Sequence, residues 1–97
     1  MFLTYVLHSP SHDRSYIGQT DNLDTRLSRH NAGLVRSTKA FRPWELLHIE
    51  KYSSRAEAMR RERELKSHKG RDWIRTELLS GRVRPGNGPA LDGQRPD

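Results

Sequence analysis

The chain has 97 residues, 32% of them hydrophobic, and no cysteine; a chain this short buries only roughly 60% of its unfolded surface, so one small domain is expected and a second is not. Without cysteine there is no disulfide scaffold, thiolate zinc site or thiol nucleophile, which fits a reducing, cytoplasmic setting. The formal net charge is +6, and 14 of the 18 cationic residues are Arg, the side chain that grips phosphate bidentately, so a polyanion is the expected partner.

Met1 to Leu7 is the longest apolar stretch, but Thr4 interrupts it and no basic flank precedes it. It predicts neither a signal peptide nor a membrane span. Phe2 to Leu7 instead reads as a strand, and Ser15 to Ile17 as its hairpin partner after the turn-forming Ser9, Pro10, Ser11, His12 and Asp13. Gly18 is expected to stop the second strand. Asp21 can cap a helix that places Leu23 and Leu27 on one face and ends near Gly33. Leu34 to Pro43 is polar, basic and aperiodic, a surface loop, and Trp44 to Tyr52 predicts a third strand. Ser54 and Glu57 form a capping box for a helix through Ala58, Met59, Glu62, Leu65 and Lys66. Gly70 is expected to break it before a last helix, Asp72 to Leu79, that buries Trp73 or Ile74 with Leu78 and stops at Gly81.

Residues 82–97 hold three Gly, three Pro and no aromatic residue, which predicts a disordered tail behind a folded body of residues 1–81. The tail carries three Arg and two Asp, so +5 of the +6 belongs to the body. The order β-β-α-β-α-α defines an α+β domain, a small three-stranded sheet with helices.

Glu62 lies among Ala58, Met59 and Leu65 on the inward side of its helix. It either pairs with Lys66 one turn on or serves a hard cation such as Mg²⁺, which one or two carboxylates commonly hold. Arg26 and His30 are four residues apart and can address one ligand together, a guanidinium for phosphate and an imidazole that exchanges protons near neutral pH; alternatively Arg26 pairs with Asp21 or Asp24 and His30 is a surface or capping residue. Tyr5 and Tyr16 sit on the two hairpin strands, where cross-strand packing is the simpler reading. There is no phosphate-binding Gly-x-x-x-x-Gly-Lys loop and no His-Glu-x-x-His pair, and the five histidines show no ligand spacing. A zinc enzyme is not expected.

Taken together these residues resemble the GIY-YIG nuclease family over about residues 2–80. Tyr16-Ile17-Gly18 is the second name-giving tripeptide intact, eleven residues after Tyr5, the last residue of Leu3-Thr4-Tyr5 in the place of the first. The segment Leu23 to Asn31 is similar to the family's Leu-x-x-Arg-Leu-x-x-His-Asn pattern, and Glu57-Ala58 and Glu62-x-x-Leu65-Lys66 match its later elements. The resemblance implies an antiparallel sheet flanked by helices and metal-dependent hydrolysis of phosphodiesters in DNA, directed by structure or backbone. It implies that Glu62 binds a single Mg²⁺ or Mn²⁺ ion and that Arg26 holds the scissile phosphate. Tyr5, Tyr16 and His30 would orient or deprotonate the attacking water. Nucleic-acid contacts would fall on Arg26, Thr38, Lys39 and Lys66, with Phe41 either stacked on a base or tucked against the core. Departures are Leu3 and Thr4 in the first tripeptide, Gln19 where some relatives have lysine, and the position of Asn87 in the tail. They open the alternative of a nucleic-acid-binding module of the same fold with weak or lost catalysis. A third reading is an adaptor for an acidic protein, and a protein partner or a homodimer fits either.

Overall fold

In a computed structural model the described residues are 1–79; the expected tail and the stop at Gly81 lie outside them. The elements are β1 (Phe2–Ser9), β2 (Arg14–Thr20), α1 (Leu23–Asn31), β3 (Glu45–Tyr52), α2 (Arg55–Lys66) and α3 (His68–Trp73), with a 3-10 turn at Lys39–Phe41 and a π-helical turn at Ile74–Leu79. The fold is α+β, in the order the sequence predicts. The chain divides into two compact units, Met1–Arg63 and the part beginning at Glu64.

In the first unit β1 is the middle of an antiparallel sheet ordered β2-β1-β3. Tyr5 faces Gly18 and Ile49, Leu7 faces Tyr16 and Leu46, and a bulge between Val6 and Leu7 shifts the β3 register. Side chains alternate across a strand, so Tyr5, Leu7, Tyr16 and Gly18 share one face while Thr4, Val6 and Ile17 share the other. On the first face Tyr5, Leu7 and Trp44 form the buried cluster that Tyr16, Leu23, Leu27 and Phe41 pack against. That packing explains α1: a nine-residue helix is marginal alone, and its Leu23 and Leu27 stripe stabilises it only when docked.

β2 continues past Gly18 to Thr20, because Gly18 pairs with Tyr5 in the ladder instead of ending it. The cap of α1 is Asn22, not Asp21: the Thr25 N–H donates to Asn22 Oδ1 at 3.1 Å, while Asp21 turns to Arg55 at 3.8 Å. The helix ends as expected, with Gly33 at φ +80° and the N–H groups of Gly33 and Leu34 donating to the carbonyls of His30 and Arg29 at 3.2 and 3.0 Å.

The segment after α1 is less of a surface loop than its composition predicts. Thr38 is buried, and Trp44 Nε1 donates to its carbonyl at 2.9 Å. Asn31 clamps the other side of Trp44, accepting its backbone N–H at 2.7 Å and donating to its carbonyl at 3.1 Å. The strand then starts at Glu45.

The capping box forms as predicted, with the Glu57 N–H donating to Ser54 Oγ at 3.2 Å and the Ser54 N–H to Glu57 Oε1 at 3.3 Å. Three hydrogen bonds tie the first turns of α2 to the sheet face opposite Tyr5. Thr4 Oγ1 donates to the Ala58 carbonyl at 2.7 Å, and Arg61 grips Glu50 through Nε at 2.8 Å and Nη2 at 3.2 Å.

In the second unit the break falls at Ser67, not at Gly70. Ser67 caps α3 by accepting the Gly70 N–H at 3.1 Å, and Gly70 is buried inside the helix against the backbone of Glu64 and Leu65. Ile74 is buried and Trp73 and Leu78 are partly so.

Candidate active site

Tyr5 sits in the middle strand, so both neighbours fix its ring. A Cβ on Gly18 would lie 2.6 Å from the Tyr5 phenolic oxygen; the ring occupies the space a side chain would take. Tyr16, two ladder positions along on the same face, packs at 6.2 Å between centroids with a 36° tilt, a diagonal neighbour and not a directly opposed one.

α1 lays His30 and Arg26 over this pair. His30 is fully buried, not a surface residue, and its ring lies 4.7 Å from that of Tyr16. Its two nitrogens are both engaged, Nε2 with Tyr5 Oη at 3.1 Å and Nδ1 with Thr38 Oγ1 at 2.9 Å. The Thr38 hydroxyl donates to the Val35 carbonyl at 3.3 Å, so Thr38 accepts the Nδ1 proton and Nε2 is left to accept from the Tyr5 phenol. Thr38, expected at the nucleic-acid interface, is therefore at 1% exposure the support of His30: its side chain is consumed by two hydrogen bonds.

The protonation states follow from burial. Burial holds His30 below the ordinary imidazole range, and the charges of Arg26 and Arg29 lower it further, so the ring is neutral at pH 7. Burial raises the Tyr5 phenol, and a hydrogen bond from Arg26 offsets part of that rise. The same bond raises Arg26. Among the described residues Arg26 pairs with neither Asp21 nor Asp24, and its Nε is buried with no hydrogen-bond partner. An unsatisfied buried donor on a cation costs about 1–3 kcal/mol or more, a cost that an incoming anion removes.

Glu62 is half-buried on α2, and its charge is felt at the Tyr5 phenol. Among the described residues no group of three or more His, Cys, Asp or Glu is gathered for a metal ion. Mg²⁺ and Mn²⁺, which keep several waters and take ligands from the substrate, need as few as one or two carboxylates, whereas zinc calls for a fuller set of protein ligands. Gln19 accepts from Arg55 Nη1 at 3.1 Å. Lys39 is exposed on the 3-10 turn, and Lys66 is exposed in the second unit. Two residues with a part in this arrangement escaped the sequence reading: Gly18 as the seat of the Tyr5 ring, and Asn31 as the clamp on Trp44. Only register and loop closure reveal them.

A hairpin carrying paired tyrosines, with Arg and His on the next helix, is the arrangement expected from the GIY-YIG resemblance. Residues 1–76 match the GIY-YIG catalytic domain, and the chain belongs to that nuclease family, whose members generally use a divalent metal. It is 47% identical over 53 residues to a UPF0213 protein of Staphylococcus haemolyticus, a match covering 54% of this chain and 65% of that one. A UPF0213 protein of Natronomonas pharaonis is 41% identical over 64 residues, 65% of this chain and 74% of the other. The match thus spans about two thirds to three quarters of these relatives. The solution structure of a UPF0213 protein from Bacillus halodurans aligns over 100% of this chain and 98% of its own, at 25% identity and a TM-score of 0.47. No helix among the described residues is long and apolar enough to cross a membrane.

Proposed function

We propose that the chain is an endonuclease that hydrolyses phosphodiester bonds in DNA with a single divalent ion, Mg²⁺ or Mn²⁺. The observation that carries this is Arg26, whose guanidinium is bonded to the Tyr5 phenol while its buried Nε has no partner. It has the chemistry of a phosphate site that awaits its anion. Family membership supports the same substrate class.

The residues divide the work as follows. Arg26 holds the scissile phosphate and stabilises the negative charge that grows on it. Neutral His30, oriented by Thr38, accepts the Tyr5 proton at Nε2 as the Tyr5 oxygen takes one from the attacking water. The raised Tyr5 pKa means the phenol does not ionise beforehand, so both protons move together. Tyr16 packs against Tyr5 and His30 and keeps the relay narrow. Glu62 would hold the ion, which supplies charge stabilisation and a lowered pKa for water. Exposed Lys39, and Lys66 in the second unit, would meet the backbone of the DNA. A cytoplasmic location, expected from the cysteine-free composition, fits this activity.

The test is cleavage of duplex, branched and flapped DNA with Mg²⁺ or Mn²⁺ by the wild type, Arg26→Ala and Glu62→Gln. Metal-dependent product from the wild type, lost by roughly 100-fold or more in both variants, is expected. Equal cleavage by wild type and Glu62→Gln overturns the assignment of Glu62, and no cleavage under any condition overturns the activity.

A further inference from the structure

Arg14 opens β2, exposed, with its guanidinium carbon 4.3 Å from the centroid of the Phe41 ring. The floor of this contact is rigid. Phe41 packs against the buried core cluster, donates its N–H to the Thr38 carbonyl at 3.1 Å and is met at 5.3 Å by the ring of His12 in a T-shaped contact.

A second guanidinium stacks on a ring in this protein, and the contrast is informative. Arg55 lies over Phe2 at 4.8 Å, but it also reaches Asp21 at 3.8 Å and Gln19 at 3.1 Å. Its donors are engaged within the protein. Among the described residues no carboxylate pairs with Arg14, and its guanidinium carbon sits over the Phe41 ring. Its N–H groups are thus left to a ligand, and a guanidinium laid flat on the ring would offer its outer face as well. A flat cation of this kind takes a nucleobase on its face and phosphate oxygens at its edge. Exposed Lys39 and Arg42 belong to the same turn as Phe41, and Arg42 Nε donates to the Lys39 carbonyl at 2.8 Å. That turn follows directly on Thr38, the residue that holds His30. A nucleotide bound at Arg14 would therefore lie beside the relay, not on a remote surface.

We propose that Arg14, laid on Phe41, is a stacking platform for an unpaired base, so that the protein selects DNA in which a single-stranded flap adjoins duplex. This rests on the reading of the chain as a DNA nuclease and adds its substrate class. Duplex bases are already stacked on each other and offer no free face, whereas a flap base gains stacking on the guanidinium. Stacking of one base on a protein platform is worth about tenfold or more in affinity.

The experiment uses the full-length Glu62→Gln protein without metal, so that binding is read without cleavage. The probes are a flapped DNA with 2-aminopurine as its first unpaired base and a blunt duplex of the same length, at one salt concentration. The flap is expected to bind about tenfold tighter than the duplex and its fluorescence to be quenched. Arg14→Ala should abolish the preference and the quench while duplex affinity changes by less than about threefold, the size of one lost phosphate contact at moderate salt. Arg14→Lys keeps the charge but not the plane, and should lose the quench as well. Phe41→Leu keeps an apolar side chain in the core and should weaken the quench by freeing Arg14. Equal weakening of flap and duplex by Arg14→Ala, or a full quench with Arg14→Lys, overturns the platform. A wild type that binds flaps through Arg14 yet cuts nothing would sink the nuclease reading alone. One that cuts with no Arg14-dependent preference would sink the platform alone.

Discussion

Gly18 and Tyr5 face each other across the hairpin, and the phenol rests where a side chain on Gly18 would be. Gly18→Ala must therefore push the ring off His30 or open the strand pair. Overpacking of this kind costs about 1–3 kcal/mol, and the expected outcome is a folded protein, checked by circular dichroism, whose DNA cleavage falls by an order of magnitude or more. His30 sets a second residue-scale expectation. Its folded pKa is depressed by burial and by Arg26 and Arg29, so the unfolded chain binds the proton more readily. Stability is full above about pH 6.5, the unfolded value, and falls as pH drops from there toward the folded pKa. Thermal melts of the wild type between pH 8 and 5 should show that decline, and His30→Gln should flatten it. Cleavage should likewise keep its neutral-pH rate to below pH 6.5, since His30 stays neutral there. The proposed roles of Tyr5, Tyr16, Arg26, His30 and Glu62 come from the ordered motifs that resemble the family, not from any one local pattern. The His30–Thr38 bond that orients the proposed relay was not legible, because Thr38 is eight residues from His30 and sits in a segment that reads as an ordinary loop.

At the scale of elements, the placement of α2 bears on the proposed activity, since it carries Glu62, the proposed ion ligand. Burial pushes the Glu50 carboxyl up, but bonds from Arg61, Tyr52 and His48 outweigh it and bring its pKa to about 2. Being depressed from 4.5, it contributes stability that is present above that value and lost as pH falls through about 2. Glu50→Gln leaves Arg61 without its carboxylate and should cost about 2 kcal/mol at pH 7 in urea melts. It should also loosen α2 enough to weaken divalent-ion binding, read by calorimetry, with Glu62 itself intact. Ser54→Ala, by removing one cap bond, should cost about 1 kcal/mol and leave ion binding unchanged. The capping box was legible because both partners lie three residues apart in one local pattern. The Glu50–Arg61 grip was not, because it joins a strand to a helix eleven residues later. The same logic separates the two ends of α1: Gly33 announces a helix end by its own chemistry, whereas the choice of Asn22 over Asp21 as cap depended on Arg55 drawing Asp21 away.

For the molecule as a whole, the charge of +6 predicts the electrostatics of binding. Raising salt from 50 to 200 mM should weaken duplex DNA binding by roughly an order of magnitude or more, with a slope of about −0.9 per phosphate neutralised; a salt-independent complex would contradict backbone recognition. Composition, charge and the ordered motifs determined by themselves the α+β class, the β-β-α-β-α-α order and the membership in a nuclease family, because each rests on local periodicity or on residue types at fixed spacing. Only the tertiary structure decided that His30 is buried and neutral, that Thr38 faces inward, that Gly18 is the seat of a ring and that Arg14 lies over Phe41 while Arg55 is engaged. Those outcomes depend on strand register and on which residues distant in sequence compete for one donor or acceptor, and such competition is settled only when the chain closes on itself.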